Sequence, residues 1–343
     1  MPELDAQIAI VGAGPIGLEI AVALKRAGLS YLHFDSRQIG HTISWFAPRT
    51  RFFSSNERIA IAGVPLQIPD QSKASREEYL AYLRGVVEQF DLDVRTYEPV
   101  VGVQRQGDAF QLTTQPTTGR QTYRVNKLIL ATGGTERARR LNVPGEDLAH
   151  VSHYLQDPHT YFRRRLLIVG GKNSAVEAAI RCHRAGAFVS FCHRREKIDA
   201  ERIKYWLMPE MALLLESGKI AGYFNTEVAE IRPGQVTLRR AGGAMETIPA
   251  DFVLLLIGYE ADMGLFKLAG VELSGDCQIP TFDPNTMETN IPGVFVAGTA
   301  TGGTQQRFTV FIENCHIHAQ RIVAALTGKA APKTPAPMQK PET

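Results

Sequence analysis

Two glycine-rich turns, each directly preceded by a short apolar run, constrain the fold of this chain more than any other feature. The first turn is Gly12-Ala-Gly-Pro-Ile-Gly17 after residues 8–11, and the second is Gly170-Gly-Lys-Asn-Ser-Ala175 after residues 166–169. Each apolar run predicts a buried parallel strand, and the small residues let the backbone turn into a helix whose N–H groups face a pyrophosphate. Two such turns predict two bound dinucleotides.

The segment after the first turn completes a strand–helix–strand unit. The pattern predicts a helix over 14–27 and a strand over 31–34, which ends at Asp35. A carboxylate at that strand end, about 20 residues beyond the glycines, can accept hydrogen bonds from an adenosine ribose. The order and spacing of the strand, the helix and Asp35 therefore predict a nucleotide site.

The segment after the second turn follows the same order but ends differently. A helix is predicted over 173–185 and a strand over 188–192, and His193, Arg194 and Arg195 follow directly. An adenosine 2′-phosphate needs cations where a free 2′-hydroxyl needs a carboxylate. The second site is therefore expected to take NADPH and the first FAD, the alternative being that the basic residues form a solvated turn. The Lys172 ammonium is expected to pair with a phosphate, the alternative being an outward-pointing lysine.

Two further predicted strands bracket the second unit in the sequence. Residues 123–130 lead into Ala131, Thr132 and Gly133, and residues 294–297 lead into Gly298 and Thr299. Ligands of open α/β sheets lie beyond the carboxyl ends of the strands, where small residues give a cofactor close backbone approach. We therefore expect an α/β protein of two doubly wound Rossmann-like domains, one inserted into the other. The expected boundaries are 1–139 and 261–328 for FAD, 140–260 for NADPH and 329–343 for a proline-rich disordered tail.

Composition excludes several classes of function. The chain has 343 residues, 44% of them hydrophobic and 21% charged, and a net charge of +3, which is too small to predict a nucleic-acid partner. No apolar run approaches the ~20 residues of a membrane span. The first residues lack the pattern of a targeting segment, so we expect a cytoplasmic protein without membrane contact.

The cysteines predict neither a disulfide framework nor a metal site, because they are far apart and form no C-x-x-C pair. His316 and His318 stand two positions apart and so point in different directions on a helix. Cys315 is expected to be a packing residue; the alternative is a reactive thiol, for which it is the best placed of the four cysteines because the start of a helix can lower a thiol's pKa. The four cysteines are Cys182, Cys192, Cys277 and Cys315.

These motifs, together with Thr289-Asn-Ile-Pro-Gly-Val-Phe-Val-Ala-Gly298, resemble those of the low-molecular-weight thioredoxin reductase-like flavoproteins over residues 6–327. Within that group the chain is most similar to the bacillithiol disulfide reductase (YpdA type) family. The resemblance implies an FAD domain in two pieces, an inserted NADPH domain, a homodimer, and flavin contacts in the loop that holds Thr42. The segments that carry this closer likeness are Phe52-Phe-Ser-Ser55, Val143-Pro-Gly-Glu146, Gly170-Gly-Lys-Asn-Ser174, Ile257-Gly-Tyr259 and Phe311-Ile-Glu-Asn314.

The chain departs from these families at three positions. Thioredoxin reductases carry a C-x-x-C pair where residues 151–159 here contain no cysteine, and the proposed reactive cysteine of the bacillithiol family falls at Ile16. The last strand ends in Gly298-Thr299 where thioredoxin reductases place Gly-Asp. A dithiol relay is therefore not expected.

The sequence thus predicts an NADPH-dependent FAD oxidoreductase, with the flavin itself passing electrons to a low-molecular-weight disulfide or another acceptor. One alternative is a ferredoxin or flavodoxin NADP reductase that docks a small acidic carrier on basic patches at 137–140 and 163–165. A second is a redox sensor that binds both cofactors without useful turnover. The residues expected to hold FAD are Gly12, Gly14, Pro15, Gly17, Asp35, Thr42, Ala131, Thr132, Gly133, Gly298 and Thr299, and those expected to hold NADPH are Gly170, Gly171, Lys172, Asn173, Ser174, Ala175, His193, Arg194 and Arg195.

Overall fold

The computed structural model describes residues 5–330 and 332 and divides them into two compact units. Unit 1 comprises the chain up to Trp45, Arg49–Arg137 and the residues from Tyr259 onward, and unit 2 comprises Phe46–Pro48 and Ala138–Gly258. Apart from residues 329, 330 and 332, the expected disordered tail lies outside the described residues.

The elements alternate between strands and helices along most of the chain. The strands are β1 Ala6–Val11, β2 Tyr31–Phe34, β3 Val100–Gln106, β4 Ala109–Thr114, β5 Gln121–Leu130, β6 Arg137–Ala138, β7 Val151–Ser152, β8 Arg165–Gly170, β9 Phe188–His193, β10 Ala221–Phe224, β11 Thr226–Arg232, β12 Gln235–Arg240, β13 Met245–Pro249, β14 Phe252–Leu256, β15 Tyr259–Glu260, β16 Leu273–Ser274, β17 Ile279–Pro280 and β18 Val294–Val296. The α-helices are α1 Pro15–Arg26, α2 His41–Ser44, α3 Asn56–Ile59, α4 Arg76–Gln89, α5 Asn173–Arg184, α6 Met208–Glu216, α7 Gly264–Leu268 and α8 His316–Thr327.

Unit 1 is built on a sheet with the strand order β2-β1-β5-β4-β3, in which β18 also pairs with β5. Strands β2, β1, β5 and β18 run parallel, and β3 and β4 form an antiparallel extension. Strand β1 is buried on both faces, since Ile8 and Ile10 pack into one hydrophobic cluster while Ala9 and Val11 pack into another. A strand covered on both faces explains the continuous apolar run in the sequence.

Helix α1 begins and ends where the sequence places its signals. Pro15 stands at the first position, where its missing N–H costs no helical hydrogen bond, and Gly28 follows the last turn with a φ of 70°. The buried face of the helix includes Leu18 and Leu24, which join the cluster that holds Ile8 and Ile10. Packing of this apolar face on the sheet fixes the start of α1 directly beyond the end of β1.

Unit 2 is built on a sheet with the order β10-β9-β8-β14-β7, in which all the strands are parallel. In β8 the alternate residues Leu166 and Ile168 pack with helices α5 and α6, whereas Leu167 and Val169 pack with the antiparallel sheet β11-β12-β13. The chain runs from β8 through α5 to β9 on one side, and β14 lies on the other. The end of β8 is therefore a topological switch point.

The prediction of an α/β protein with two doubly wound domains is confirmed. Two local expectations need correction. Residues 41–44 form the short helix α2 rather than a loop, and residues 312–314 form a single 3₁₀ turn, so that the final helix α8 begins at His316 with Cys315 as its cap. Among residues 5–330 and 332, no helix is both long enough and apolar enough to cross a lipid bilayer.

The first glycine turn gives a stability prediction with an internal control. A methyl carbon at Gly17 would lie 1.9 Å from the carbonyl oxygen of Gly12, whereas one at Gly14 would meet no atom within 4 Å. We expect Gly17→Ala to lower the free energy of unfolding by about 2 kcal/mol or more, because backbone atoms must move. Gly14→Ala is expected to cost less than about 1 kcal/mol. Urea unfolding measures both, and equal losses would contradict the argument.

Candidate dinucleotide sites

Three parallel strands of unit 1 end side by side at the first candidate site. The backbone N–H of Ala131 donates to the carbonyl of Val11 at 2.8 Å, and that of Ala297 donates to Leu130 at 3.0 Å. The exits of β1, β5 and β18 therefore form one continuous edge. The residues predicted from these three strand ends lie together along it.

The glycine turn leaves one backbone position open at this edge. Gly12 has a φ of 109°, and a methyl carbon there would lie 2.3 Å from the carbonyl oxygen of Ala131, so only glycine fits. Gly14, in contrast, faces open space. Helix α1 follows, and no side chain of the described residues caps its first N–H groups. These features form a cradle in which an anionic group can approach the backbone.

Asp35 lies at the end of β2 with both carboxylate oxygens engaged by the backbone. The N–H of Ala13 donates to Oδ2 at 2.6 Å, and the N–H of Arg37 donates to Oδ1 at 2.8 Å. Burial raises the pKa of this carboxyl, and the two hydrogen bonds act against that rise. Each oxygen keeps a further lone pair, so the group can still accept hydrogen bonds from a ribose diol.

The Thr132 hydroxyl supplies a further indication that a polar ligand belongs at this edge. Its Oγ1 atom is buried and has no hydrogen-bond partner in the part of the chain that the structure describes. Buried hydroxyls are almost always paired, and Thr132 adjoins the glycine turn, since a methyl carbon at Gly12 would lie 3.1 Å from its backbone nitrogen; the orphaned hydroxyl therefore calls for a ligand. The open cradle, the carboxylate and this hydroxyl together fit the polar groups of FAD. Thr42 lies on α2, which is tied to the glycine turn by the hydrogen bond from the Gly40 N–H to the Ala13 carbonyl at 3.0 Å.

Ile16 occupies a buried position at the start of α1. A methyl carbon at Gly298 would lie 3.4 Å from its Cβ, so the isoleucine packs against the exit of β18. Thr299 lies beside Gly133, whose added methyl carbon would be 3.9 Å from the threonine hydroxyl. The residue that stands at the family's cysteine position is thus part of the apolar support of the site.

Two buried histidines outside the predicted set of site residues hold the backbone of this site. The His33 Nε2 atom lies 2.9 Å from the carbonyl oxygen of Gly12, and the Nδ1 atom of His318 accepts a hydrogen bond from the N–H of Gly298 at 3.1 Å. Burial lowers the pKa of each ring to about 4, so both are neutral near pH 7. A polar residue inside the apolar strand β2 was the available signal for His33, because a buried imidazole needs a partner.

Glu19 and His316 form a partly buried pair at the start of α8. The His316 Nδ1 atom lies 2.7 Å from Glu19 Oε2, and its Nε2 atom lies 2.8 Å from the carbonyl oxygen of Arg58. Burial lowers the pKa of His316, but the hydrogen bond and the charge of Glu19 outweigh it and raise the pKa overall. The pair joins helices α1 and α8 and is structural.

The second candidate site is the turn at the end of β8 in unit 2. A methyl carbon at Gly170 would lie 2.6 Å from the Cβ of Ala175, and one at Gly171 would lie 2.1 Å from the His193 ring. Only glycine therefore fits at both positions. Helix α5 begins directly after Lys172 and also lacks a side-chain cap, as α1 does.

The residues predicted for this second turn have different surroundings. His193 lies against the turn rather than in solvent, and burial together with the charges of Arg194 and Arg195 outweighs its backbone hydrogen bonds and lowers its pKa. Asn173 accepts a hydrogen bond from the N–H of Lys204 at 2.7 Å and so fixes the loop before α6. The side chains of Ser174, Arg194 and Arg195 are exposed.

Cationic groups converge on the second turn. Burial lowers the pKa of Lys172, and the charges of four arginines lower it further. Lys172 is exposed and Arg202 is paired with Asp199 at 2.9 Å, and the net positive charge around the turn favours an anion there. The glycine cradle and the surrounding cations fit the phosphates of NADPH. The four arginines are Arg202, Arg139, Arg194 and Arg195.

The cysteines offer little accessible thiol. Burial raises the pKa of Cys182 and of Cys192 to about 12, and it also raises that of the fully buried Cys315, which is opposite in direction to the effect expected from its helix. Cys277 is half-buried. Within residues 5–330 and 332, no group of three or more metal-ligating side chains could hold an ion.

Comparisons with known proteins agree with this architecture. A family model described as pyridine nucleotide-disulphide oxidoreductase matches residues 9–298. Bacilliredoxin reductase Bdr of Bacillus subtilis (strain 168) is 34% identical over 318 residues, which cover 92% of this chain and 96% of that protein. The solved structure of bacillithiol disulfide reductase Bdr (YpdA) from Bacillus cereus is 33% identical with a TM-score of 0.89, covering 94% of this chain and 99% of that one.

A ferredoxin–NADP reductase of Ignicoccus hospitalis (strain KIN4/I / DSM 18386 / JCM 14125) is 29% identical over 302 residues, which cover 85% of this chain and 89% of that protein. The resemblance predicted from the motifs is confirmed.

The buried His318 predicts a pH dependence of stability. Its pKa is lowered from 6.5 to about 4, so the unfolded chain binds a proton at higher pH than the folded one. The stabilisation is present above pH ~6.5 and is lost as the pH falls toward 4, by up to about 3 kcal/mol. We expect His318→Asn to reduce the acid-dependent loss of the free energy of unfolding, measured in urea between pH 7 and pH 4.

Exposed His159 supplies the control for this experiment. His159→Asn makes the same substitution at an exposed histidine that does not contact Gly298, and its pH profile of unfolding is the reference for that of His318→Asn. Identical profiles for His318→Asn and His159→Asn would show that the Gly298 contact does not couple to protonation.

Proposed function

The chain belongs to the pyridine nucleotide-disulphide oxidoreductase family, and we propose that it carries electrons from NADPH to a low-molecular-weight disulfide of the bacillithiol disulfide class. It is an FAD-dependent oxidoreductase that uses NADPH. The proposed acceptor rests on one observation. Almost the whole chain is similar to a protein named bacillithiol disulfide reductase. This family membership favours an enzyme over the redox sensor considered from the sequence.

Each cofactor has a matching set of residues in one unit. Asp35, the open position at Gly14 and the first N–H groups of α1 would hold the ribose and pyrophosphate of FAD. The turn at Gly170 and Gly171 would hold the pyrophosphate of NADPH, and Arg194 and Arg195 its 2′-phosphate. When bound, FAD supplies the redox chemistry, because it can accept a hydride from NADPH and pass electrons to an acceptor.

In this proposal the protein positions the cofactors and supplies no reactive thiol. Ile16 cannot form a mixed disulfide, and it is buried against Gly298. Cys315 is buried with a raised pKa, which disfavours the nucleophilic thiolate. We therefore propose that electrons leave without a protein disulfide.

A ferredoxin or flavodoxin NADP reductase is the second candidate. The 29% identical ferredoxin–NADP reductase favours it, and so does the isoleucine at position 16. A small acidic carrier would meet exposed arginines, such as Arg163 and Arg164 in unit 2. The homodimer and the cytoplasmic location expected from the sequence stay predictions, and sedimentation velocity tests the first.

Acceptor specificity separates the two candidates. After anaerobic bleaching of the bound flavin by NADPH, we expect oxidised bacillithiol to restore the visible absorbance of the flavin at a rate that supports turnover. Recovery with a small ferredoxin or flavodoxin but not with the disulfide would select the second candidate. Purified protein that NADPH never bleaches would refute both.

The cysteines can be tested in the same assay. Cys277→Ala and Cys315→Ala are each expected to leave disulfide turnover unchanged, because neither thiol takes part. Cys277, which is half-buried, is the matched control for the buried Cys315. Loss of turnover in Cys315→Ala alone, with flavin reduction by NADPH intact, would establish a thiol role.

The basic pair after β9 should set nucleotide preference. Because the two guanidinium groups would bind the 2′-phosphate, Arg194→Ala with Arg195→Ala is expected to raise the KM for NADPH by at least about tenfold and to leave the KM for NADH unchanged. Steady-state kinetics with both nucleotides measures this. Equal increases for the two would remove the assignment.

A further inference from the structure

Arg139 lies at a strand exit of unit 2 that the glycine fingerprint does not include. Its backbone N–H donates to the carbonyl of Gly258 at 3.0 Å, just beyond the end of β14. A methyl carbon at Gly258 would lie 3.6 Å from its Cδ atom and 3.8 Å from its Nε atom, so the stem of the arginine runs across this glycine. The side chain is therefore positioned by the end of β14.

The end of β14 adjoins the second glycine turn. Strand β14 pairs with β8 from Phe252 to Leu256, and a methyl carbon at Gly170 would lie 2.5 Å from the carbonyl oxygen of Leu256. The Arg139 guanidinium is also close enough to the Lys172 ammonium to lower the pKa of that lysine. Arg139 thus approaches the turn from the side opposite to Arg194 and Arg195, which follow β9.

The neighbouring Arg140 has a different role. Its guanidinium lies 3.3 Å from Glu146 and 2.6 Å from Asp147, and Glu146 also accepts hydrogen bonds from the N–H groups of Leu141 and Asn142. This set of contacts holds the segment before β7 in place. Arg140 thus stabilises the segment before β7, and the stem of Arg139 lies over Gly258 at the exit of β14.

We infer that Arg139 binds the nicotinamide-side half of NADPH, at the pyrophosphate, while the arginines after β9 bind the 2′-phosphate. The inference rests on the proposed assignment of NADPH to unit 2. A dinucleotide lies across the switch point of a doubly wound sheet, with its two halves over strands on opposite sides. The exits of β9 and β14 are two strand spacings apart, roughly 10 Å. An arginine at one of these exits therefore binds one half of the dinucleotide.

Binding of nucleotide fragments tests this division. Isothermal titration of the FAD-loaded protein would use NADP⁺, NAD⁺ and 2′,5′-ADP, the last of which lacks the nicotinamide-side phosphate. Arg139→Gln keeps most of the stem over Gly258 and removes the charge. We expect it to raise the Kd of NADP⁺ and of NAD⁺ by about tenfold or more, because a charged hydrogen bond is lost, and to leave the Kd of 2′,5′-ADP unchanged.

Arg195→Ala should give the opposite pattern, with weaker binding of NADP⁺ and 2′,5′-ADP and unchanged binding of NAD⁺. Arg164→Ala is the matched charge control, because Arg164 is exposed next to the start of β8, at the far end of the sheet. It is expected to change none of the three affinities.

Two results would overturn the inference alone. If Arg139→Gln weakens 2′,5′-ADP as much as NADP⁺, Arg139 serves the adenosine half; if it weakens neither dinucleotide, Arg139 does not contact the cofactor. A parent protein that binds neither NADP⁺ nor 2′,5′-ADP would overturn the proposed function as well. Arg139→Lys, which keeps a charge at the same strand exit, is expected to recover part of the lost dinucleotide affinity.

Discussion

The close approach of helix α1 to the carbonyl of Gly12 is the contact on which the first site depends. Gly17 allows this approach because even one methyl carbon would fall 1.9 Å from that oxygen. The approach brings the uncapped start of α1 directly beyond the end of β1, where the helix N–H groups can meet an anion. Asp35 then ties the end of β2 to the same turn through the N–H of Ala13. The open position at Gly14 and the Thr132 hydroxyl, which has no partner among the residues that the structure describes, can serve a ligand only in this arrangement.

The glycine turn of unit 2 has the same kind of backbone arrangement as that of unit 1, but the side chains around it are positively charged. Gly170 lets α5 approach β8 closely, and Gly171 makes room for the His193 ring. Strand β9 of unit 2 is followed by cationic residues where β2 of unit 1 is followed by a carboxylate, and guanidinium groups lie near Lys172. Because phosphates relieve such repulsion, the proposed assignment of NADPH to this turn rests on the charges of the side chains, since the backbone geometry is the same at both turns.

Because position 16 holds an isoleucine and not a cysteine, this residue cannot take part in thiol–disulfide exchange. Ile16 is buried against Gly298, whose N–H is held by the neutral ring of His318. A nucleophilic thiol needs exposure and a lowered pKa, and burial opposes both at Cys315. The surroundings of the first turn thus support a site in which the protein positions a cofactor and takes no part in thiol exchange.

The sequence by itself determined the two strand–turn–helix units, the acid after one and the cations after the other, because these depend on residues close together in the chain. Only the tertiary structure decided the contacts of His33, His318 and Arg139, because their partners, Gly12, Gly298 and Gly258, are between 20 and 119 residues away. It also decided that Cys315 is buried, since burial depends on how α8 packs against α1 and not on local sequence. The spacing of nearby residues determines which turns can form, and the packing of residues distant in sequence determines which side chains are exposed at those turns.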